Sequence, residues 1–172
     1  VYQIVAYAGC ESNPGNESTA YSNTDAPVYG DHSFDSNGFC EGGDGSCQPA
    51  ILTTDKYNID GVEGFDNVYE ISNAGQLYWF ANYVNSGNTS TNAVLTADIT
   101  VNSNLLNSLI YDAEGNVTNG DSFTSCTPIG NSSKNYTGTF DGQNHTISGL
   151  YFNDTNTTYV GLFGWNRGTV KN

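Results

Sequence analysis

The groups in this chain able to do chemistry are few: two histidines, four cysteines and eighteen carboxylates, with only four cationic side chains in 172 residues. His32 lies in Asp31-His32-Ser33-Phe34-Asp35, where an aspartate could orient its ring, and His145 lies in the turn Asn144-His145-Thr146. A general base must face a nucleophile or a held water, and neither histidine stands in a recognisable nucleophile motif. Eighteen acids always let some pair of carboxylates meet, so their number alone argues for no glycosidase. Lyase chemistry on acidic polymers needs gathered cations, whereas Lys56, Lys134, Arg167 and Lys171 are scattered. The residues therefore predict no enzyme.

Calcium is the metal to weigh, because acids and amides crowd the flexible loops. The candidate ligands are Asp31, Asp35 and Asn37, then Glu41 and Asp44, then Asp60, Glu63, Asp66 and Asn67. None has the spacing of an EF-hand loop, since the position needing a bidentate glutamate is Gly42 counted from Asp31 and Ile71 counted from Asp60. A solvated acidic surface explains them, so no metal or cofactor is expected.

Cys10, Cys40, Cys47 and Cys126 are an even set. Zinc knuckles place ligands about two to four residues apart, and the closest pair here flanks the longer loop 41–46. Disulfides are expected, most simply Cys40–Cys47 with Cys10–Cys126, although three connectivities are open. Oxidised pairs imply an extracellular or similarly oxidising compartment. Asn-x-Ser/Thr acceptor sites fall at Asn16, Asn88, Asn116, Asn131, Asn135, Asn144, Asn153 and Asn156. About 4–5 such tripeptides would arise by chance, so the excess fits a glycan-bearing face between 131 and 156, with incidental composition as the alternative.

A net charge of −14 excludes a nucleic-acid or anionic-membrane surface, which needs a basic patch. No stretch approaches the roughly 18 apolar residues of a membrane span. The lack of any Met predicts a processed chain.

The elements that must position these groups are short. Gly, Asn, Ser and Thr make about 45% of the chain, a turn-rich composition that permits only a thin, layered core. Residues 1–58 read as an extension: a strand over Val1–Gly9, then a Cys-containing, loop-rich stretch hiding short strands at Pro27–Tyr29, Ser33–Phe34 and Ala50–Thr53. One helix is predicted over about 73–85, because Asn73 and Gln76 make a capping-box-like start and Leu77, Phe80, Ala81 and Val84 form one apolar face. Val94–Val101 reads as a strand and Leu105–Tyr111 as a further apolar segment, with turns at Gly115-Asn116, Asn119-Gly120 and Asp141-Gly142. Tyr136, Gly138, Phe140, Thr146 and Ile147 recur as Tyr159, Gly161, Phe163, Thr169 and Val170, each 23 positions on. Such a period predicts stacked coils, each burying its inward side chains against its neighbours.

From about residue 69 the chain resembles bacterial surface proteins that carry GLUG-type β-helix repeats. The resemblance rests on the run from Tyr69 to Ala81, on Leu95–Ile99, on Thr127-Pro128-Ile129-Gly130, and on Tyr136–Gly142. It continues through His145–Leu150 and Gly161-Leu162-Phe163-Gly164. The segments Gly38-Phe39-Cys40 and Cys47-Gln48-Pro49-Ala50 are similar to a stretch preceding the helix in that group. The resemblance implies a capped β-helix and a structural place for His145 in a coil corner, but fold alone assigns no activity.

The resulting expectation is an all-β protein, a solenoid of stacked short strands over 59–172 with one capping helix and a loop-rich N-terminal extension. Its expected role is that of an extracellular surface adhesin module or filament subunit. Strand 1–9 of one copy would add to the open last coil of the next. The alternative is a carbohydrate-binding module for host or environmental glycans, using Tyr151, Tyr159 and Trp165. A polysaccharide-active enzyme is the weakest reading.

Overall fold

The computed structural model describes residues 33–41, 47–153 and 159–172. β1 (Ile51–Tyr57) and β2 (Asp66–Ile71) form an antiparallel hairpin. From β2 onward, strands join the same sheet in parallel and in chain order. β2 pairs with β3 (Asn92–Leu95), β3 with β5 (Thr139–Asp141), and β5 with β7 (Thr169–Lys171). A separate parallel pair joins β4 (Ile99–Thr100) to β6 (Ile147–Ser148). The described chain is mainly β with mixed sheets. It has one long helix, α1 (Ala74–Asn85), and a single helical turn, α2 (Leu105–Ser108). The predicted strands at Val1–Gly9 and Pro27–Tyr29 lie outside the described residues.

The helix forms where its signals place it. Asn73 caps it by accepting the Gln76 N–H at 2.9 Å. Gln76 reaches back one residue further than a capping box requires and accepts the Ser72 N–H at 2.7 Å. Leu77, Phe80, Ala81 and Val84 are all buried, as their spacing predicts. Its opposite flank is covered too: Trp79 and Tyr83 stack at 4.9 Å, and Tyr69 of β2 packs on both.

Side chains alternate across a strand, so the sheet sorts its residues by row. Tyr69, Ala93, Phe140 and Val170 align toward α1, while Glu70, Val94, Asp141 and Lys171 align on the other face. The core grows from the first row. Phe80 meets Tyr136 and Phe140, each at 6.1 Å between ring centroids, and Phe163 closes the group at 5.5 and 5.4 Å from the same two rings. The second face is buried by the β1–β2 loop, whose Ile59 packs on Val68 and Val94.

Two expectations need correction, over Val94–Val101 and the 23-residue spacing. The predicted strand over Val94–Val101 is broken into β3 and β4 by a corner at Thr96–Asp98. There Thr96 donates to the Ile71 carbonyl and the Asp98 carboxylate accepts the Thr146 N–H at 2.8 Å. The apolar segment Leu105–Tyr111 folds into α2 and an exposed stretch, with Leu106, Ile110 and Tyr111 in solvent. The 23-residue spacing is not the register of the sheet. Phe140 lies opposite Val170 and Tyr136 opposite Asn166, thirty positions on, whereas Phe163 lies opposite Ile129. The offset changes from thirty-four to thirty positions across the turn at Asn131–Lys134, so no single period describes the register.

Candidate functional site

The sheet ends differently at its two edges. At one edge, β1 runs antiparallel to β2; at the other, β7 presents the last parallel strand. Along the core-facing row, Ala93 and Phe140 are buried but Val170 is 49% exposed. The Thr169 N–H donates to the Gly138 carbonyl and the Lys171 carbonyl accepts from the Gly142 N–H. In a parallel ladder, alternate residues bond to alternate sides, so the Val170 N–H and C=O point away from β5. No described strand pairs with that edge. Residues of the preceding segment, Tyr159 and Val160, are exposed as well. An unpaired strand edge beside half-exposed apolar side chains is a template for another strand.

The strand is held in place by the row behind it. Asp141, 3% exposed, accepts hydrogen bonds from the Gln143 N–H at 2.9 Å, the Gln143 amide at 2.7 Å and the Asn172 amide at 2.9 Å. The Lys171 ammonium stands 3.7 Å from its carboxylate and donates to the Ile59 carbonyl at 2.7 Å, which ties β7 to the β1–β2 loop. Burial works to raise the Asp141 pKa, but the donated hydrogen bonds from Asn172 and Gln143 and the Lys171 charge outweigh it and hold the pKa below the usual range. A carboxyl depressed in the folded state stabilises the fold above its unfolded pKa, near 3.9, and that contribution is lost as pH falls through the folded value. Urea midpoints between pH 2 and 7 are thus expected to fall on the acid side, and Asp141→Asn to flatten that limb. Glu70, depressed by hydrogen bonds from Lys56 and Tyr57, keeps part of the slope. An unchanged acid limb in the variant would refute the assignment.

Cys126 is a thiol, and Cys47 is disulfide-bonded. Cys47 faces Phe39 in an antiparallel bridge, so the next residue, Cys40, points to the opposite side. Cys126 is half-buried beneath α1 with its sulfur 3.0 Å from the Tyr78 hydroxyl, and burial pushes its thiol pKa up. Cys10 lies outside the described residues.

The chain matches no protein family, curated protein or solved structure. The geometry alone must therefore carry any functional reading.

Of the acceptor asparagines, Asn88, Asn116, Asn131, Asn144 and Asn153 are exposed, and Asn135 is half-buried with an orphaned side-chain oxygen. Asn16 and Asn156 lie outside the described residues. The three aromatic residues proposed for glycans do not assemble into one platform. Tyr151 packs on Phe123, while Tyr159 and Trp165 meet edge-to-face at 5.0 Å and so present no shared flat surface.

His145 packs its ring nitrogen 3.3 Å from Asp98 at the coil corner, and His32 lies outside the described residues. The calcium candidates serve the backbone instead. Asp35 accepts the N–H groups of Asn37 and Phe39, Asp60 that of Val62, and Asp66 those of Ile59 and Asp60. Among the described residues no cluster of three or more metal-ligating side chains occurs. Asp31 and Asp44 lie outside them.

Sequence reasoning missed Asp141 and Lys171 as partners and missed the docking of the Cys-containing segment. Gly38 and Gly75 approach so closely that a Cβ on Gly75 would fall on the Gly38 carbonyl, and the Gly75 N–H donates to the Asn37 carbonyl at 2.6 Å. The resemblance of both segments to one protein group was the available signal for that contact.

Proposed function

We propose that this chain is an extracellular structural module, a capped β-solenoid of the kind found in surface adhesins, that assembles head to tail by strand addition at β7. The observation that carries this reading is the Val170 edge: outward-facing backbone groups on the last parallel strand, beside apolar side chains left half in solvent. The parallel strands follow one another in chain order, which is how stacked coils are built. At the other edge β1 runs antiparallel to β2, so the parallel order continues only toward β7. Val1–Gly9 of a second copy, rich in β-branched and aromatic residues, is the donor strand. The Cys47 disulfide and the exposed acceptor asparagines support an extracellular setting.

Electron microscopy of the native protein, with its intact mass, tests this directly. Regular fibres are expected, with mass above that of the bare polypeptide. Val170→Pro removes an N–H that β5 does not use and places a ring on the outer edge, so it is expected to abolish fibres while leaving the monomer folded. Deletion of residues 1–9 should do the same. Dispersed wild-type monomers, or fibres that survive Val170→Pro, would sink the proposal.

A further inference from the structure

An open groove of about 430 Å³ runs along the outer face of the β4–β6 pair, walled by the α2 turn. Thr100 and Ser148 line it from the two strands, with their hydroxyl oxygens 3.1 Å apart. Ile99 is buried on the other side of β4, as strand alternation requires. Asn104 and Asn107 line the opposite wall, and Leu106 and Leu150 supply apolar surface, with Leu106 85% exposed at the rim.

Two features of this lining point to a ligand class. No lining residue is ionisable, although the chain carries eighteen acids. A charged ligand would give up hydration there with nothing to balance it. The side-chain amides of Asn104 and Asn107 are also exposed and bonded to no other described residue, so both can turn to a ligand in exchange for water. They differ in this from Asn102 beside them, whose amide bonds the Thr124 and Gly149 carbonyls and whose oxygen accepts the Thr124 N–H.

We propose that this groove binds a neutral oligosaccharide. An amide side chain presents a donor and an acceptor side by side, which matches adjacent sugar hydroxyls, and the leucines suit the C–H face of a pyranose ring. An extended peptide fits less well. The groove lies on the face of the pair, where Ile99 and Val101 already donate to the Thr146 and Ser148 carbonyls, so peptide backbone finds no ladder to join. The site is separate from the β7 edge and stands or falls independently of assembly there.

The test is calorimetric titration of the whole chain with uncharged hexasaccharides of glucose, mannose and N-acetylglucosamine. A galacturonate hexasaccharide and an unstructured decapeptide serve as comparisons. At least one neutral sugar is expected to bind, with a dissociation constant on the order of 10⁻⁴–10⁻³ M. Asn107→Ala and Leu106→Ser, both at exposed positions, should each weaken binding about tenfold, in keeping with loss of one or two modest contacts, while far-UV circular dichroism stays unchanged. Failure of every neutral sugar to bind would overturn the assignment, as would equal binding of the galacturonate or the peptide. Sugar binding that both variants leave untouched would place the site elsewhere on the chain.

Discussion

Phe80→Ala is expected to cost about 3–5 kcal/mol of stability, the range for emptying a large aromatic site in a core. Phe80 is fully buried and touches rings from three other places in the chain: Tyr69 of β2, Tyr136, and Phe140 of β5. Its removal therefore leaves a cavity at the point where the helix meets successive coils, and the parallel strands behind it have no freedom to close in. Trp79, the neighbouring residue, is larger but only half-buried, stacked on Tyr83 at the surface. Trp79→Ala should cost about 1–2 kcal/mol, since the lost area is partly in water already. Urea unfolding of both variants, with slopes compared to wild type, separates the two. Equal losses would mean that the outer aromatic flank of α1 stabilises the fold as much as the inner one, which the burial contradicts.

Gly75→Ala is expected to destabilise the protein by roughly 2 kcal/mol, although helix propensity alone predicts a gain of up to about 1 kcal/mol for this change. The sign is set by the Gly38 carbonyl, backbone that cannot rotate aside as a side chain could. Around that contact the Gln48 N–H donates to the Gly38 carbonyl, the Asn73 amide to Gln48 Oε1 at 2.7 Å, and the Gln76 amide to the Pro49 carbonyl at 3.3 Å. A methyl group on Gly75 would push this whole segment off the helix start. Hydrogen exchange should then accelerate at the Gly75 and Gln48 amides before it does in β3 or β5. A stabilised Gly75→Ala variant would show that the segment is only loosely seated.

The helix was legible because its two signals are local: a cap within four residues and an apolar period of 3.6. The preference for strands was legible from composition. The order and register of those strands were not, because parallel pairing joins residues separated by turns of unequal length. Tyr136 and Tyr159 match in type, yet the true partner of Tyr136 is Asn166, thirty positions on, while Ile129 pairs with Phe163, thirty-four positions on. Closeness in sequence favoured Cys40–Cys47, and the pleat places Phe39 opposite Cys47 and Phe34 opposite Cys40. Asp141 and Asn107 carried no signal at all, since a carboxylate in a turn and an asparagine among twenty-two others look alike until their neighbours are known.

The sheet's first and last strands lie at opposite edges, with every hydrogen bond between them running across the strands. A pull applied between β1 and β7 would therefore load those bonds end-on and one row at a time, as a zipper is opened, rather than shearing all rows together. The Lys171 contact to the Ile59 carbonyl reaches back from β7 to the β1–β2 loop and would resist that opening. Joined in series through β7, such units would yield in small successive steps, a cord that lengthens gradually under load instead of snapping.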